Sequence, residues 1–412
     1  MTSWQDTFFS DFAAMSQFGA TPGGGIDRQA ATDADAEARR WFHQWLEAHH
    51  FQVEYDPIGN QFGLLEFYPG APYVLCGSHL DSQPLAGKFD GSYGVLAAAS
   101  AASLLGYQAS MEALHPKYNL AVVNWFNEEG SRFSPSMMGS GVYCSKLSLD
   151  EAQASTDDRG TSVDAELTAH GFKGKFTFPT PISYAEIHVE QGRNLENLGK
   201  QIGLVTETWG ARKFTVRVIG EQAHTGSTLI ADRKDALFGA ALVITEVRRL
   251  AERCQKELLQ ASVSHIKVLP NSPVTISRET TINVDLRSPS SEALDWAVLA
   301  LEKILDNVEK EASVRVEKNL THSWELSPYC AEGINLTQHI AEEMGISYAK
   351  VQTVAGHDST NLKDLCPTVM LFVPSVEGIS HNEREFTKPD DLLAGRDFLV
   401  EVLSTLVTDG LA

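Results

Sequence analysis

The sequence has few cysteines and few basic residues, and each shortage argues against a class of protein. Its five cysteines are scattered, odd in number and without a CxxC spacing, which argues against a disulfide framework and against a thiolate zinc site. Lysine and arginine number 33 against 54 for aspartate and glutamate, so the formal net charge is −21. Because a chain this acidic repels phosphate backbones and anionic membranes, we expect no nucleic-acid partner and no membrane partner.

Long hydrophobic runs are also missing. The longest apolar stretch, from Gly94 to Gly106, is too short and too rich in small residues to span a bilayer. The N-terminal segment carries Asp6 and Asp11 and has no basic region, so we do not expect it to be a signal peptide. Together with the scattered cysteines, these features predict a cytoplasmic protein.

The chain is long enough for two domains, since 412 residues exceed what one hydrophobic core usually organises. Short apolar runs alternate with longer helical patterns in both terminal parts, which favours a mostly parallel sheet covered by helices. In the middle, Lys213–Val218 and Thr281–Leu286 alternate strictly between polar and apolar residues, as half-buried antiparallel strands do. We therefore predict an α/β fold, with residues 1–208 and 327–412 as a metal-binding catalytic domain and 209–326 as an inserted α+β domain.

Hydrophobic patterns also place individual elements. The predicted strands of the catalytic domain are Gly63–Phe67, Tyr73–Cys76, Leu120–Phe126, Tyr184–Val189 and Thr368–Val373. Its predicted helices are Gly91–Leu105, Gly333–Met344, Asp391–Leu406 and a first segment, Trp4 to His50, that a glycine-rich loop interrupts. In the inserted domain a helical pattern runs from about Asp232 to Leu259.

Histidines and carboxylates stand within these strands or shortly after them. They are His79, Asp81, Asp90, Glu128, Glu129, His188 and His381. Because the carboxyl ends of parallel strands share one edge of a sheet, these residues can converge in a single crevice.

Taken singly, most of these residues have an ordinary structural explanation. A lone histidine such as His79 or His188 is more often a hydrogen-bonded core residue, and Asp90 could cap the helix that follows it. The pair Glu128 and Glu129 is harder to explain, because adjacent carboxylates after a buried strand repel each other unless a cation neutralises one. Their side chains point to opposite sides of the strand, so one can bind a metal while the other faces a bound water.

The whole set supplies more nitrogen and oxygen ligands than one tetrahedral ion needs, which favours two metal ions that share a bridging carboxylate. We expect His79, Asp90 and His188 to form one site. Asp90, Glu129 and His381 would form the other. The expected cofactor is therefore two divalent metal ions per subunit, with zinc as the first choice and manganese, cobalt or nickel as alternatives.

Two further carboxylates have expected roles beside the metals. Asp81 is spaced to orient the imidazole of His79. Glu128 is free to act as a general base towards a water molecule that bridges the two metals.

Six segments carry a family pattern in the correct order: GSHLDSQPLAGKFDG, NWFNEEGSRFSPSMMGSGV, HVEQG, GEQAHTGST, AGHDS and FVPSVEGISHNE. They resemble the amidase, hydantoinase/carbamoylase family, which includes N-carbamoyl-L-amino-acid hydrolases, β-ureidopropionases and allantoate amidohydrolases. That family lies within the dinuclear aminoacylase/dipeptidase superfamily. The resemblance implies the same metal ligands and base, and a catalytic domain split by a lid that also forms the interface of a homodimer.

The resemblance also implies five substrate-binding residues. Gln191 would bind the ureido or amide group, and His357 would contact the substrate near the metals. His224, in the lid, would stabilise the oxyanion in the active site of the partner subunit, although alone it resembles an ordinary turn histidine. Asn271 and Arg287 would bind the substrate carboxylate, a task for which a planar guanidinium is suited.

The first hypothesis for function is a dinuclear metal-dependent amidohydrolase that acts on linear amides and resembles N-carbamoyl-L-amino-acid hydrolases. Its substrate would be an N-carbamoyl amino acid, a β-ureido acid or allantoate. Glu128 would take a proton from the bridging water, and the hydroxide would attack the carbonyl carbon. The alternatives are an N-acyl-amino-acid hydrolase or dipeptidase of the same superfamily and, from another class, an inert protein that binds metal or a small molecule.

Overall fold

The computed structural model describes residues 4–254 and 258–411, so the first three residues of the N-terminal segment lie outside the described part. The chain divides into two compact units. The first unit comprises the residues up to Thr206 and those from Pro328 onwards, and the second unit comprises Glu207–Ser327. Among the described residues, no helix combines the length and the apolar character that a membrane span requires.

Helices and strands alternate along most of the first unit, as the sequence predicts. The helices of the chain are α1 Trp4–Met15, α2 Asp33–Ala48, α3 Ser92–Ser110, α4 Met138–Tyr143, α5 Leu149–Ala154, α6 Val163–His170, α7 Asn194–Leu198, α8 Ala236–Arg253, α9 Ser291–Ala312, α10 Ala331–Met344, α11 Asp358–Leu362 and α12 Pro389–Thr408. The strands are β1 Gln52–Tyr55, β2 Gln61–Leu65, β3 Tyr73–His79, β4 Asn119–Trp125, β5 Ser183–Val189, β6 Ile202–Thr208, β7 Gly210–Ile219, β8 Ala223–His224, β9 Gln260–Leu269, β10 Thr275–Ile276, β11 Glu279–Ser288, β12 Arg315–Trp324, β13 Ser327–Pro328, β14 Tyr348–Thr353 and β15 Thr368–Val373.

The large sheet has the order β1-β2-β4-β3-β5-β15-β6-β13, and β14 pairs with β6. Its centre is parallel, since β4, β3, β5 and β15 pair in parallel register. The pairs β1–β2, β2–β4 and β15–β6 are antiparallel. The predicted α/β fold is confirmed, and the four parallel strands end at one edge of the sheet.

The core of the first unit lies between this sheet and its helices. The alanine-rich helix α3 is buried along most of its length and packs against α12, β3 and β5. Strands β4, β5 and β15 are buried throughout, which explains why each reads as a continuous apolar run. This packing fixes the strand ends that carry the candidate ligands.

The second unit contains a four-stranded antiparallel sheet in the order β12-β7-β11-β9. Alternate residues of β7 and β11 are buried against α8 and α9, as the strict alternation of the sequence predicts. The helical pattern expected over 232–259 is observed as α8, which ends at Arg253, while residues 255–257 lie outside the described part. The short strands β8 and β10 pair with each other and place His224 opposite Thr275.

Candidate metal centre

The predicted metal ligands lie at the carboxyl ends of the parallel strands. His79 is the last residue of β3, and His188 is the last but one of β5. Glu129 follows β4, Asp90 stands just before α3, and His381 lies in the loop after β15. Two groups of three ligand atoms form, each within 4.8 Å: His79, Asp90 and His188, and Asp90, Glu129 and His381. The sheet topology therefore gathers five residues that are far apart in the sequence.

Asp90 lies between the two groups and offers a different oxygen to each. Its Oδ1 is 3.0 Å from His188 Nε2 and 3.6 Å from His79 Nε2. Its Oδ2 is 3.2 Å from His381 Nε2, and that nitrogen is 3.6 Å from Glu129 Oε2. A carboxylate that bridges two metal ions requires this division of its oxygens.

The start of α3 is shaped by the candidate ligands and not by a capping carboxylate. Its N-cap is Gly91, and no side chain makes a capping hydrogen bond there, so Asp90 does not serve as the cap. Gly91 has a positive φ of 62°, and a Cβ at this position would lie 2.3 Å from the ring of His79. Only glycine therefore fits here without displacing the imidazole.

The two buried histidines are held in the tautomer that metal binding needs. His79 Nδ1 is 2.9 Å from the carbonyl oxygen of Asp81, and His188 Nδ1 is 2.8 Å from the carbonyl oxygen of Val189. Because a carbonyl oxygen can only accept, each Nδ1 carries a hydrogen, so when the ring is neutral its lone pair is on Nε2. In both rings Nε2 faces Asp90 Oδ1, and His188 Nε2 also lies 3.0 Å from the backbone N–H of Gly91.

Burial and mutual repulsion govern the carboxylates of the centre. Burial raises the pKa of Glu128 well above its usual range, and the carboxylates of Asp358 and Glu129 raise it further. Burial, followed by the charge of Asp90, raises the pKa of Glu129 to about 7. Burial alone would also raise the pKa of Asp90, but its histidine neighbours, His188 first, hold it well below its usual range. Buried carboxylates that repel one another beside imidazole nitrogens form a donor set that fits divalent cations.

Asp81 contacts the centre in two ways, and only one of them is the expected one. Its backbone carbonyl accepts the hydrogen bond of His79 Nδ1, while its carboxylate Oδ1 lies 3.7 Å from that nitrogen. The carboxylate accepts the backbone N–H groups of Glu128 and Glu129, each at 3.2 Å. Asp81 therefore holds the segment that carries the candidate base as well as the ring of His79.

Gln191 and His357 also lie at this centre. The Nε2 of Gln191 donates to Asp90 Oδ2 at 2.7 Å and lies 3.5 Å from His381 Nε2. The ring of His357 is buried, and its centroid is 4.5 Å from that of His188. Both residues are thus adjacent to the candidate ligands.

His224 belongs to the second unit and is exposed on β8. Its Nδ1 accepts hydrogen bonds from the backbone N–H groups of Gly226 at 2.9 Å and Ser227 at 3.1 Å. Since Nδ1 is an acceptor, the hydrogen of the neutral ring is on Nε2. This histidine therefore presents an N–H donor.

The two residues expected to bind a substrate carboxylate also lie in the second unit. Asn271 is exposed in the loop that follows β9. Arg287, on β11, already makes a bidentate pair with Asp285, with Nε–Oδ1 at 3.0 Å and Nη2–Oδ2 at 2.7 Å. A substrate carboxylate would therefore bind this guanidinium as a second anion or replace Asp285.

Three residues that the sequence did not suggest contact the candidate ligands directly. Gln83 Nε2 donates to Glu129 Oε2 at 2.8 Å, and the backbone N–H of Gln83 donates to Glu129 Oε1 at 3.2 Å. Ser380 and Glu385 contact Asp90 from the loop after β15. The available signal was proximity, since Gln83 follows His79 by four positions and Glu385 follows His381 by four.

Comparison with known proteins gives consistent relatives over the whole chain. A family model described as peptidase family M20/M25/M40 matches residues 75–405. A Mycolicibacterium smegmatis protein named only as a hydrolase is 50% identical over 98% of this chain and 93% of its own length. A Rhizobium meliloti N-carbamoyl-L-amino-acid amidohydrolase is 32% identical over 96% of this chain and 94% of its own. The crystal structure of a hydantoinase/carbamoylase family amidase from Burkholderia vietnamiensis superposes with a TM-score of 0.94 at 31% identity, covering 100% of both chains.

Proposed function

The chain belongs to the peptidase family M20/M25/M40 and is a hydrolase of its amidohydrolase type, and from this premise we propose that it hydrolyses the carbamoyl C–N bond of an N-carbamoyl amino acid or a similar ureido acid. The observation that carries the proposal is the pair of ligand groups that share Asp90, with a further carboxylate beside them. That carboxylate is Glu128, whose Oε2 lies 3.5 Å from His79 Nε2.

Five side chains would hold two divalent cations, one at each ligand group: His79, Asp90, His188, Glu129 and His381. When bound, such cations would polarise the substrate carbonyl group and lower the pKa of a water molecule. His79 and His188 would bind through Nε2, since their Nδ1 hydrogens are donated to backbone carbonyls.

Glu128 would act as the general base and then as the general acid. It would take a proton from the attacking water and deliver it to the departing nitrogen as the C–N bond breaks. A ureido substrate would then give a free amine and carbamic acid, which decomposes to carbon dioxide and ammonia. The hydrogen bond from the Glu128 backbone to Asp81 would keep the base in place during both transfers.

His224 would stabilise the negative oxygen of the tetrahedral intermediate. Its Nδ1 accepts two backbone N–H groups, so a neutral ring would donate from Nε2 to that oxygen. We propose that the second unit is the lid, that it also forms the interface of a homodimer, and that His224 acts on the active site of the partner subunit.

A cytoplasmic location remains a prediction of the sequence.

Arg287 and Asn271 would recognise the carboxylate that distinguishes a ureido acid from a simple urea. Asp285 fixes the plane of the Arg287 guanidinium through two parallel hydrogen bonds, which reduces the entropy that binding a second anion would cost. Gln191, which donates to Asp90, would contact the ureido group, and His357, whose ring lies beside that of His188, would contact the substrate near the metals.

A substrate panel tests the proposal. The protein would be stripped of metal, reconstituted separately with Zn²⁺, Mn²⁺, Co²⁺ and Ni²⁺, and assayed against N-carbamoyl-α-amino acids, β-ureido acids, allantoate, N-acyl amino acids and dipeptides. We expect ureido acids to exceed the acyl and peptide substrates in kcat/KM by at least about tenfold, or about 1.4 kcal/mol. Preference for dipeptides or acyl amino acids would favour the alternative enzyme, and no turnover with any metal would favour an inert binding protein.

A further inference from the structure

Glu385 is a buried carboxylate that no step of the proposed reaction uses. It lies in the loop after β15 and is 4% exposed. Its Oε1 accepts two backbone N–H groups, those of Phe89 and Asp90, each at 3.0 Å. One oxygen of the loop therefore fixes the backbone of the residue that is shared by the two ligand groups.

Ser380 adds a side-chain contact between the same two segments. Its hydroxyl lies 3.1 Å from Asp90 Oδ2 and 3.1 Å from Glu385 Oε2, so its hydrogen can be donated to either carboxylate. Glu385 therefore holds the backbone of Asp90, and the Ser380 hydroxyl lies within hydrogen-bond distance of its carboxylate. Both contacts come from the loop that also carries His381.

The chain leaves room for the Glu385 side chain by placing a glycine opposite it. A Cβ at Gly87 would lie 2.3 Å from the Cβ and Oε1 of Glu385. The carboxylate thus fills the space above the segment that leads into Asp90. This close fit makes the position of Asp90 depend on the loop after β15.

We propose that Glu385, with Ser380, is a positioning residue that holds Asp90 where its two oxygens can serve both ligand groups. The inference rests on the proposed metal centre and adds two residues to it. Because Asp90 is shared, its displacement would weaken the binding of both ions, whereas loss of a terminal ligand would weaken chiefly one. Partners of this kind typically contribute about 10–100-fold to metal affinity.

Zn²⁺ binding to the full chain tests the proposal without any substrate. Competition with a chromophoric chelator would give the two stepwise dissociation constants for Zn²⁺. The measurement would be made on the unsubstituted protein, Glu385→Ala and Glu385→Gln. Glu385→Ala should raise both dissociation constants by about 10–100-fold. Glu385→Gln should keep both dissociation constants within a few-fold of those of the unsubstituted protein, because its amide oxygen can still accept the two backbone N–H groups.

Glu383→Ala is the matched control. Glu383 lies in the same loop and accepts a hydrogen bond from Thr21, on a segment that carries none of the candidate ligands. Its loss should leave both dissociation constants unchanged. If Glu385→Ala does not fold, Ser380→Ala replaces it in the same measurement. This change removes only the hydroxyl and should raise both dissociation constants together.

Three results would overturn the positioning role. The first is unchanged Zn²⁺ binding in Glu385→Ala or, if that variant does not fold, in Ser380→Ala. The second is a rise in only one of the two dissociation constants. The third is a Glu385→Gln variant that binds Zn²⁺ as weakly as Glu385→Ala does. Since binding is measured without turnover, these results leave the proposed hydrolysis untouched. Conversely, a failed substrate panel would not change the Zn²⁺ constants.

Discussion

Replacing Glu128 by glutamine should separate catalysis from metal binding. Glu128 lies outside both ligand groups, and its backbone N–H, which donates to Asp81, is unaffected by the change. The amide has nearly the same shape as the carboxylate but cannot accept the proton of the attacking water. We therefore expect Glu128→Gln to retain both metal ions and to lose turnover.

The size of the loss follows from the burial of the base. Removing a general base costs about 10²–10⁴ in rate, equal to about 3–5 kcal/mol of activation free energy. Glu128 is 6% exposed, so bulk water has little access to replace it. The residue would also serve twice, as base and as acid. Both features place the expected loss near the upper end of the range.

The assay measures kcat and bound metal on the same preparation. Glu129→Gln is the matched control, because Glu129 is an adjacent carboxylate that does belong to a ligand group. This control should lose metal together with activity. If Glu128→Gln loses metal as the control does, or if it keeps substantial activity at full metal content, the assignment of Glu128 as the base is wrong.

Four further substitutions test the bridging carboxylate, the oxyanion donor and the recognition of the substrate carboxylate. Asp90→Ala should empty both metal positions and His381→Ala should weaken chiefly one, because a bridging carboxylate serves two ions; metal analysis showing one ion at full occupancy in Asp90→Ala would exclude the bridge. His224→Ala should lower kcat by about 10²–10³ at unchanged metal content. Mixing it with Glu128→Gln should restore activity through heterodimers, and dimers without recovery would rule out action across the interface. Arg287→Ala should raise KM for ureido acids and not for amides that lack a carboxylate, and an equal rise for both would refute carboxylate recognition.

The central strands and the gathering of the ligands could be predicted because both follow from simple patterns. The sequence predicts Thr368–Val373 with the bounds that the structure has, since a buried parallel strand is a continuous apolar run. His79 and His188 then meet because parallel strands end at one edge of the sheet. These predictions need only the order of the elements along the chain.

The margins of the sheet and the supports of the ligands could not be predicted in this way. Strand β1, Gln52–Tyr55, is short and partly exposed, so it lacks an apolar run. The hydrogen bonds of Glu385 to Phe89 and Asp90 join residues almost three hundred positions apart and leave no local pattern. The bond from His79 to Asp81 uses a backbone carbonyl, which any residue supplies. Such contacts depend on tertiary structure alone.

The pairing of β5 with β15 has a consequence for the order in which the protein is made. Residues Tyr184 and Thr368 face each other in this pair, and the whole second unit lies between them in the sequence. At a synthesis rate of about 5–20 residues per second, His381 leaves the ribosome roughly 10–40 s after His188. During that interval the nascent chain contains the whole first group, His79, Asp90 and His188. The second group still lacks His381. If the two groups bind ions as we propose, the second group can be completed only after the second unit and His381 have been synthesised.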